Sequence, residues 1–210
     1  MKMKFLALLG ASVAMLGVAS ADASTIYSNG PIDSTKAGWT INFGYALTNS
    51  FTLGSTQTIT GFTFGGWTVP GDVISSVDYG FSTSADYAIT GNASLSAGSL
   101  LPNAFGYDVH EYSASITPLT LGPGTYWFGL QNAAAGGDPA YWDINNGPSV
   151  AFENTIGNVN GNLFAGSNST SFTLTGDAVP EPASWAMMLG GFGLVGGAMR
   201  ARRKAAISFA

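Results

Sequence analysis

Ile41, Phe43, Tyr45 and Leu47 alternate with polar or small residues, and Phe51 and Leu53 resume the alternation after Thr48-Asn49-Ser50. Period two puts successive side chains on opposite faces of an extended chain, so this stretch reads as a strand with one buried face. Similar runs recur at 58–64, where Gly61 is a candidate bulge, and at 73–82, with Val77, Tyr79 and Phe81 on one face. Further candidates are 87–90, 108–116, 125–130, 149–153 and 171–175. Turn formers separate them: Pro70-Gly71, Gly122-Pro123-Gly124, Gly136-Gly137-Asp138-Pro139 and Asn145-Asn146-Gly147. About eight to ten strands suffice for two sheets, and the lack of a fixed repeat argues against a propeller or solenoid. The expected fold class is all-β, a β-sandwich or jelly-roll-like ectodomain.

Such a domain has to be held by packing alone, because the chain contains no cysteine. Trp39, Trp67, Trp127 and Trp142, all eight tyrosines and ten phenylalanines fall between residues 24 and 179, among Gly, Ser, Thr and Asn. That composition favours strands over helices. The same region sets ten carboxylates against Lys36 alone, a net charge of −9. Nucleic acid and anionic lipid are therefore poor partners for it.

Both ends differ in kind from the middle. Met1-Lys2-Met3-Lys4 is a basic start, 5–18 an apolar run, and Ala19-Ser20-Ala21 or Ala21-Asp22-Ala23 a small-x-small cleavage site. Residues 1–23 read as a secretory signal peptide, which implies a secretion translocon and a signal peptidase as partners. The exported all-β domain then covers 24–178, a size that fits one core.

At the other end Pro180, Glu181 and Pro182 precede an uncharged segment containing Trp185, Met187, Met188, Leu189, Phe192, Leu194 and Val195, closed by Arg200, Arg202, Arg203 and Lys204. The prolines fix φ and keep Val179 and Glu181 out of helix, leaving an extended backbone of the kind a protease needs. As a helix, the sixteen residues 184–199 would span about 24 Å against a hydrocarbon core of about 30 Å. Trp185 suits one interface, and the basic cluster would hold the other end on the cytoplasmic side, snorkelling to ease the mismatch. The expectation is a short transmembrane helix. Gly191, Gly193 and Gly196 formally match G-x-G-x-x-G, but no preceding strand and βαβ unit accompany them, so a dinucleotide site is rejected.

This arrangement resembles the PEP-CTERM sorting domain of Gram-negative bacteria, in the form Pro-Glu-Pro-Ala-x-Trp-Ala-Met-Met. The resemblance covers 179–204; Ala201 interrupts the basic run, and a tail, 205–210, follows and is read as cytoplasmic. It implies a substrate of an exosortase-type membrane protease or transpeptidase. The precursor would be anchored in the inner membrane, cut near Pro-Glu-Pro, and the product delivered to the cell surface or extracellular matrix.

For chemistry within the domain the sequence offers little. His110 is the single histidine, beside Asp108 and Glu111, and without a second histidine or any cysteine a cysteine nucleophile is excluded and a zinc site nearly so. No G-x-S-x-G elbow occurs. Asp108 with Glu111, or Asp138 with Asp143, are the carboxylate pairs a glycosidase would need, and neither spacing carries a signature. No catalytic residues and no metal ligands are assigned, and the expectation is a protein that is not an enzyme.

The most site-like residues are Trp127, Tyr141, Trp142, Asp143 and Asn145. Flat rings stack on the apolar faces of sugars while carboxylate and amide groups bond hydroxyls, and the same oxygens could hold Ca²⁺, the one cofactor considered. The competing reading makes the tryptophans core and the Asp and Asn groups turns. The expected role, taken from the resemblance, is structural or adhesive within an exopolysaccharide or biofilm matrix. A carbohydrate-binding module is the alternative, calcium-dependent or not, and a secreted hydrolase the third reading.

Overall fold

The computed structural model describes residues 23–155, 169–176, 188–196 and 200. Its strands are β1 (Ser24–Ser28), β2 (Gly38–Thr40), β3 (Tyr45–Leu53), β4 (Gln57–Thr68), β5 (Ser76–Ser82), β6 (Gly91–Ser94) and β7 (Ser96–Leu101). After these come β8 (Asp108–Leu121), β9 (Gly124–Ala134), β10 (Tyr141–Asn145), β11 (Ala151–Thr155), β12 (Ser169–Thr170) and β13 (Phe172–Gly176). Two antiparallel sheets result, as the alternation predicts. The smaller runs β11-β3-β9-β5-β6. In the larger, β8 lies along one edge of β4 and carries β7 outside it. The other edge of β4 is shared: β13 pairs with its first half up to Phe64, and β10 pairs at Gly66 and Trp67. β1 flanks β13, while β2 and β12 flank β10.

The two inner faces meet in one core. Phe62, Phe64, Tyr112, Trp142 and Phe172 from the larger sheet pack with Leu47, Phe51, Val77, Phe128 and Leu130 from the smaller. Phe128 is the hub, with ring centroids 5.1 Å from Phe62, 5.3 Å from Phe172 and 5.7 Å from Trp142. Aromatic pairs contribute about 0.5–1.5 kcal/mol each beyond their buried area, which is how a domain without disulfides is consolidated. The bulge expected at Gly61 is present as a register shift between Ile59 and Gly61.

Three details depart from the sequence pattern. Ile41 is buried and bonded to Ala133 and Ala140, but the chain then turns through Phe43 (φ 53°) and Gly44 (φ 93°) instead of continuing as a strand. The Asn42 side chain holds this turn, donating to Asp138 O at 2.9 Å and accepting from Ala140 N at 3.2 Å, so Phe43 points outward. By contrast Thr48-Asn49-Ser50 is not a break, since β3 runs straight through it with Asn49 fully buried. Residues 87–90 form no strand; 83–90 loop over the outer face of the smaller sheet, with Thr48 Oγ1 and Asn154 Nδ2 donating to Ala85 O. The Tyr87 ring lies on Gly129, where a Cβ would come within 2.5 Å of it.

Of the C-terminal segment, 188–196 is helical and Arg200 is helical as well. Met188, Leu189, Phe192, Leu194 and Val195 are all exposed there, apolar side chains without a protein surface to cover them. No helix among the described residues is long and apolar enough to cross a membrane. The signal peptide, Pro180, Glu181, Pro182, Trp185, Met187, Arg202, Arg203, Lys204 and the tail 205–210 lie outside the described residues.

Candidate functional site

Tyr141 of β10 stands opposite Trp67 of β4. Beside them, Gly38 of β2 pairs with Asp143, and a Cβ at Gly38 would sit 2.6 Å from that of Tyr141, so glycine leaves the tyrosine its place. Two loops wall this spot. The loop 102–107 is folded around Asn103, whose Oδ1 accepts from Phe105 N at 3.0 Å and whose Nδ2 donates to Tyr107 O at 2.6 Å. The loop 29–37 crosses from the opposite side, and Ser34 Oγ ties the two together by donating to Pro102 O at 2.7 Å. Between them opens a cleft of about 300 Å³ lined by Lys36, Ala37, Gly38, Trp67, Phe105, Tyr107 and Tyr141.

The cleft is an aromatic box. Trp67 lies 5.8 Å from Phe105 and 6.1 Å from Tyr107, and Tyr107 meets Tyr141 edge-on at 5.9 Å. Phe105 is 52% exposed although it sits among rings, which leaves part of its surface accessible to a ligand. Lys36 contributes the one cation, its Nζ 3.3 Å from Asp33 Oδ2.

Asp143 is the brace beneath this box. Fully buried, it accepts from Trp67 Nε1 at 2.8 Å with one oxygen and from Asp33 N at 2.7 Å with the other. One side chain thereby orients the cleft's tryptophan and pins the loop that carries Lys36. Burial pushes the Asp143 carboxyl above its ordinary value of 3.8, an effect opposed by the bonds from Asp33 N, Trp67 and Ser171. The folded chain therefore holds this proton at a pH where the unfolded chain has released it. In the window above 3.8 the contribution of Asp143 to stability declines as pH rises. Thermal melts of wild type and Asp143→Asn across that window are expected to show the shallower fall in the variant; equal slopes would refute the assignment.

The remaining sequence candidates separate. Trp142 is core, its Nε1 donating to Ser171 O at 2.7 Å. Asn145 is buried, donating to Asn29 O at 2.7 Å and Pro31 O at 3.0 Å. It borders a polar knot in which Asn29 bonds Ser149, Ser169 and Thr170, while Asn49 accepts from Ser149 Oγ and Thr170 N. Trp127 belongs to the other sheet, edge-on to Phe152 at 4.9 Å. Of the five, Tyr141 alone lines the cleft and Asp143 supports it. With both oxygens of Asp143 committed to protein N–H groups, that carboxylate is not offered to calcium, and among the described residues no three of His, Cys, Asp and Glu gather as a metal site. His110 has its Nδ1 2.9 Å from Gly98 O, and Asp108 accepts from Gly71 N. Sequence reasoning missed Trp67, Phe105, Tyr107 and Lys36. The available signals were a Phe-Gly-Tyr loop after Pro102-Asn103 and the isolation of Lys36 among acids.

Fold and cleft define an acidic two-sheet β domain of sandwich-like form with a solvent-open aromatic site, followed by an exposed apolar helix. Residues 178–204 match the PEP-CTERM protein-sorting motif, so the chain is an exosortase-sorted exported protein, processed at the membrane and ending at the cell surface. No curated protein matches the chain.

Proposed function

We propose that this protein is a non-catalytic structural or adhesive component of an exopolysaccharide-rich surface matrix, delivered there after removal of its signal peptide and membrane helix. The observation that carries the reading is the sorting motif, which begins at residue 178 when the last strand has ended at Gly176. A domain joined so closely to its sorting signal is the cargo of that signal. The aromatic cleft favours a mode of action, carbohydrate binding, which makes the module reading a refinement of the matrix role and not its rival.

Deleting the gene in the producing bacterium is expected to weaken the cohesion of the surface matrix, measured as retained biomass under shear. The wild-type gene should restore it, and a version lacking residues 178–204 should not. Unchanged cohesion in the deletion strain would remove the matrix reading.

A further inference from the structure

We propose that the cleft between loops 29–37 and 102–107 takes one uncharged pyranose ring of a matrix glycan, stacked on Phe105 and Tyr141 and bonded through its hydroxyls to Lys36 and the tyrosine hydroxyls. The inference rests on the carbohydrate-binding reading above and names the ligand class of that site. At about 300 Å³ the cleft stands at the small end of small-molecule sites, room for one ring and not for a chain segment. Its walls are largely aromatic, which suits the C–H face of a sugar, and its polar side-chain groups are few, the Lys36 ammonium and the Tyr107 and Tyr141 hydroxyls.

Charge decides between neutral and acidic sugars. Lys36 is the only Lys or Arg between residues 24 and 179, and it lines the cleft, which taken alone would favour a carboxylated ring. Two observations weigh against that. Asp33 already lies 3.3 Å from the ammonium and offsets its charge locally. Around the site, ten carboxylates of the same region repel a polyanion. Among the described residues the ammonium pairs with one acid, so of its three donors some remain for neutral hydroxyls. A neutral ring gains the stacking and those bonds without meeting the repulsion.

The test uses the full chain in mild detergent, with Trp fluorescence and calorimetry reading the binding of neutral gluco- and galacto-oligosaccharides against oligouronates at low and high salt. Neutral oligosaccharides should bind with little dependence on salt, and oligouronates should bind at least tenfold more weakly. Phe105→Ala and Tyr141→Ala should each lower the affinity about tenfold. Trp127→Ala, on the other sheet, should leave it unchanged, and Phe105 is exposed enough for its removal to leave the fold intact. Tighter oligouronate binding that fades with salt and is lost in Lys36→Met would overturn the neutral-ring proposal while keeping the carbohydrate reading. Binding of neither class would overturn both.

Discussion

Replacing Pro180, Glu181 and Pro182 with alanine is expected to leave a membrane-inserted precursor that accumulates uncleaved. Insertion is governed by the apolar run and the basic residues behind it, which this change leaves alone. What disappears is a pair of prolines, which disfavour helix, together with the single acid between them. Alanine also permits the apolar helix to extend backwards into the processing site. Neutralising Arg200, Arg202, Arg203 and Lys204 should fail differently: with no basic residues to retain the end of the apolar run, the precursor is expected to slip through and unsorted protein to be released. Fractionation with intact-mass measurement of the surface product separates the two. Wild-type surface protein that still carries residues 185–204, or normal maturation of the alanine variant, would reduce the segment to a plain C-terminal anchor.

Trp142→Ala should be the most damaging single change in the domain, costing about 3–5 kcal/mol. Its ring is fully buried and packs edge-on against Phe64, Phe128 and Phe172, so truncation opens a hole at the junction of both sheets. Against a typical total of about 5–15 kcal/mol, a loss of this size can unfold the chain. Trp142→Phe would refill much of the hole but strand Ser171 O, which accepts from the indole at 2.7 Å, at a cost of about 1–3 kcal/mol. Urea titration followed by circular dichroism is the measurement, with Trp127→Ala as the comparison because that ring is only partly buried. If Trp142→Ala unfolds at the wild-type midpoint, Trp142 is not the centre of the core.

Most of the architecture was legible because inward positions along β4, β5 and β9 are occupied by aromatic and branched residues at period two. Where the reading failed, a polar residue occupied an inward position. Asn49 looks like a turn former in sequence, and its burial depends on groups 100 or more residues distant, Ser149 Oγ and Thr170 N donating to its Oδ1 and Thr170 Oγ1 accepting from its Nδ2. Phe43 fails in the opposite sense, an apolar residue in register that is turned to solvent by the hydrogen bonds of its neighbour Asn42. The site divided in the same way. Trp142 and Asp143 are adjacent in sequence and fall on opposite faces of β10, one in the core and one beneath the cleft. The residues that do line the cleft, Lys36, Trp67, Phe105, Tyr107 and Tyr141, come from two strands and two loops, brought together by the pairing of β10 with β4 and by the bonds that Asp143 and Ser34 make to and from loop 29–37. The sorting segment was the easiest part to read, because its information is linear and needs no fold to express it.

The position of β13 carries a consequence for timing. This strand is the last of the domain, yet it is inserted between β1, the first, and β4. For a chain emerging from its N-terminus, whether from a ribosome or a membrane pore, the strand that pairs with β1 arrives only with residues 172–176, and Phe172 and Leu174 reach the core only then. The preceding residues 169 and 170 also complete the polar knot around Asn29 and Asn49. Closure of the domain is thereby postponed until the residues just before the sorting segment have come through.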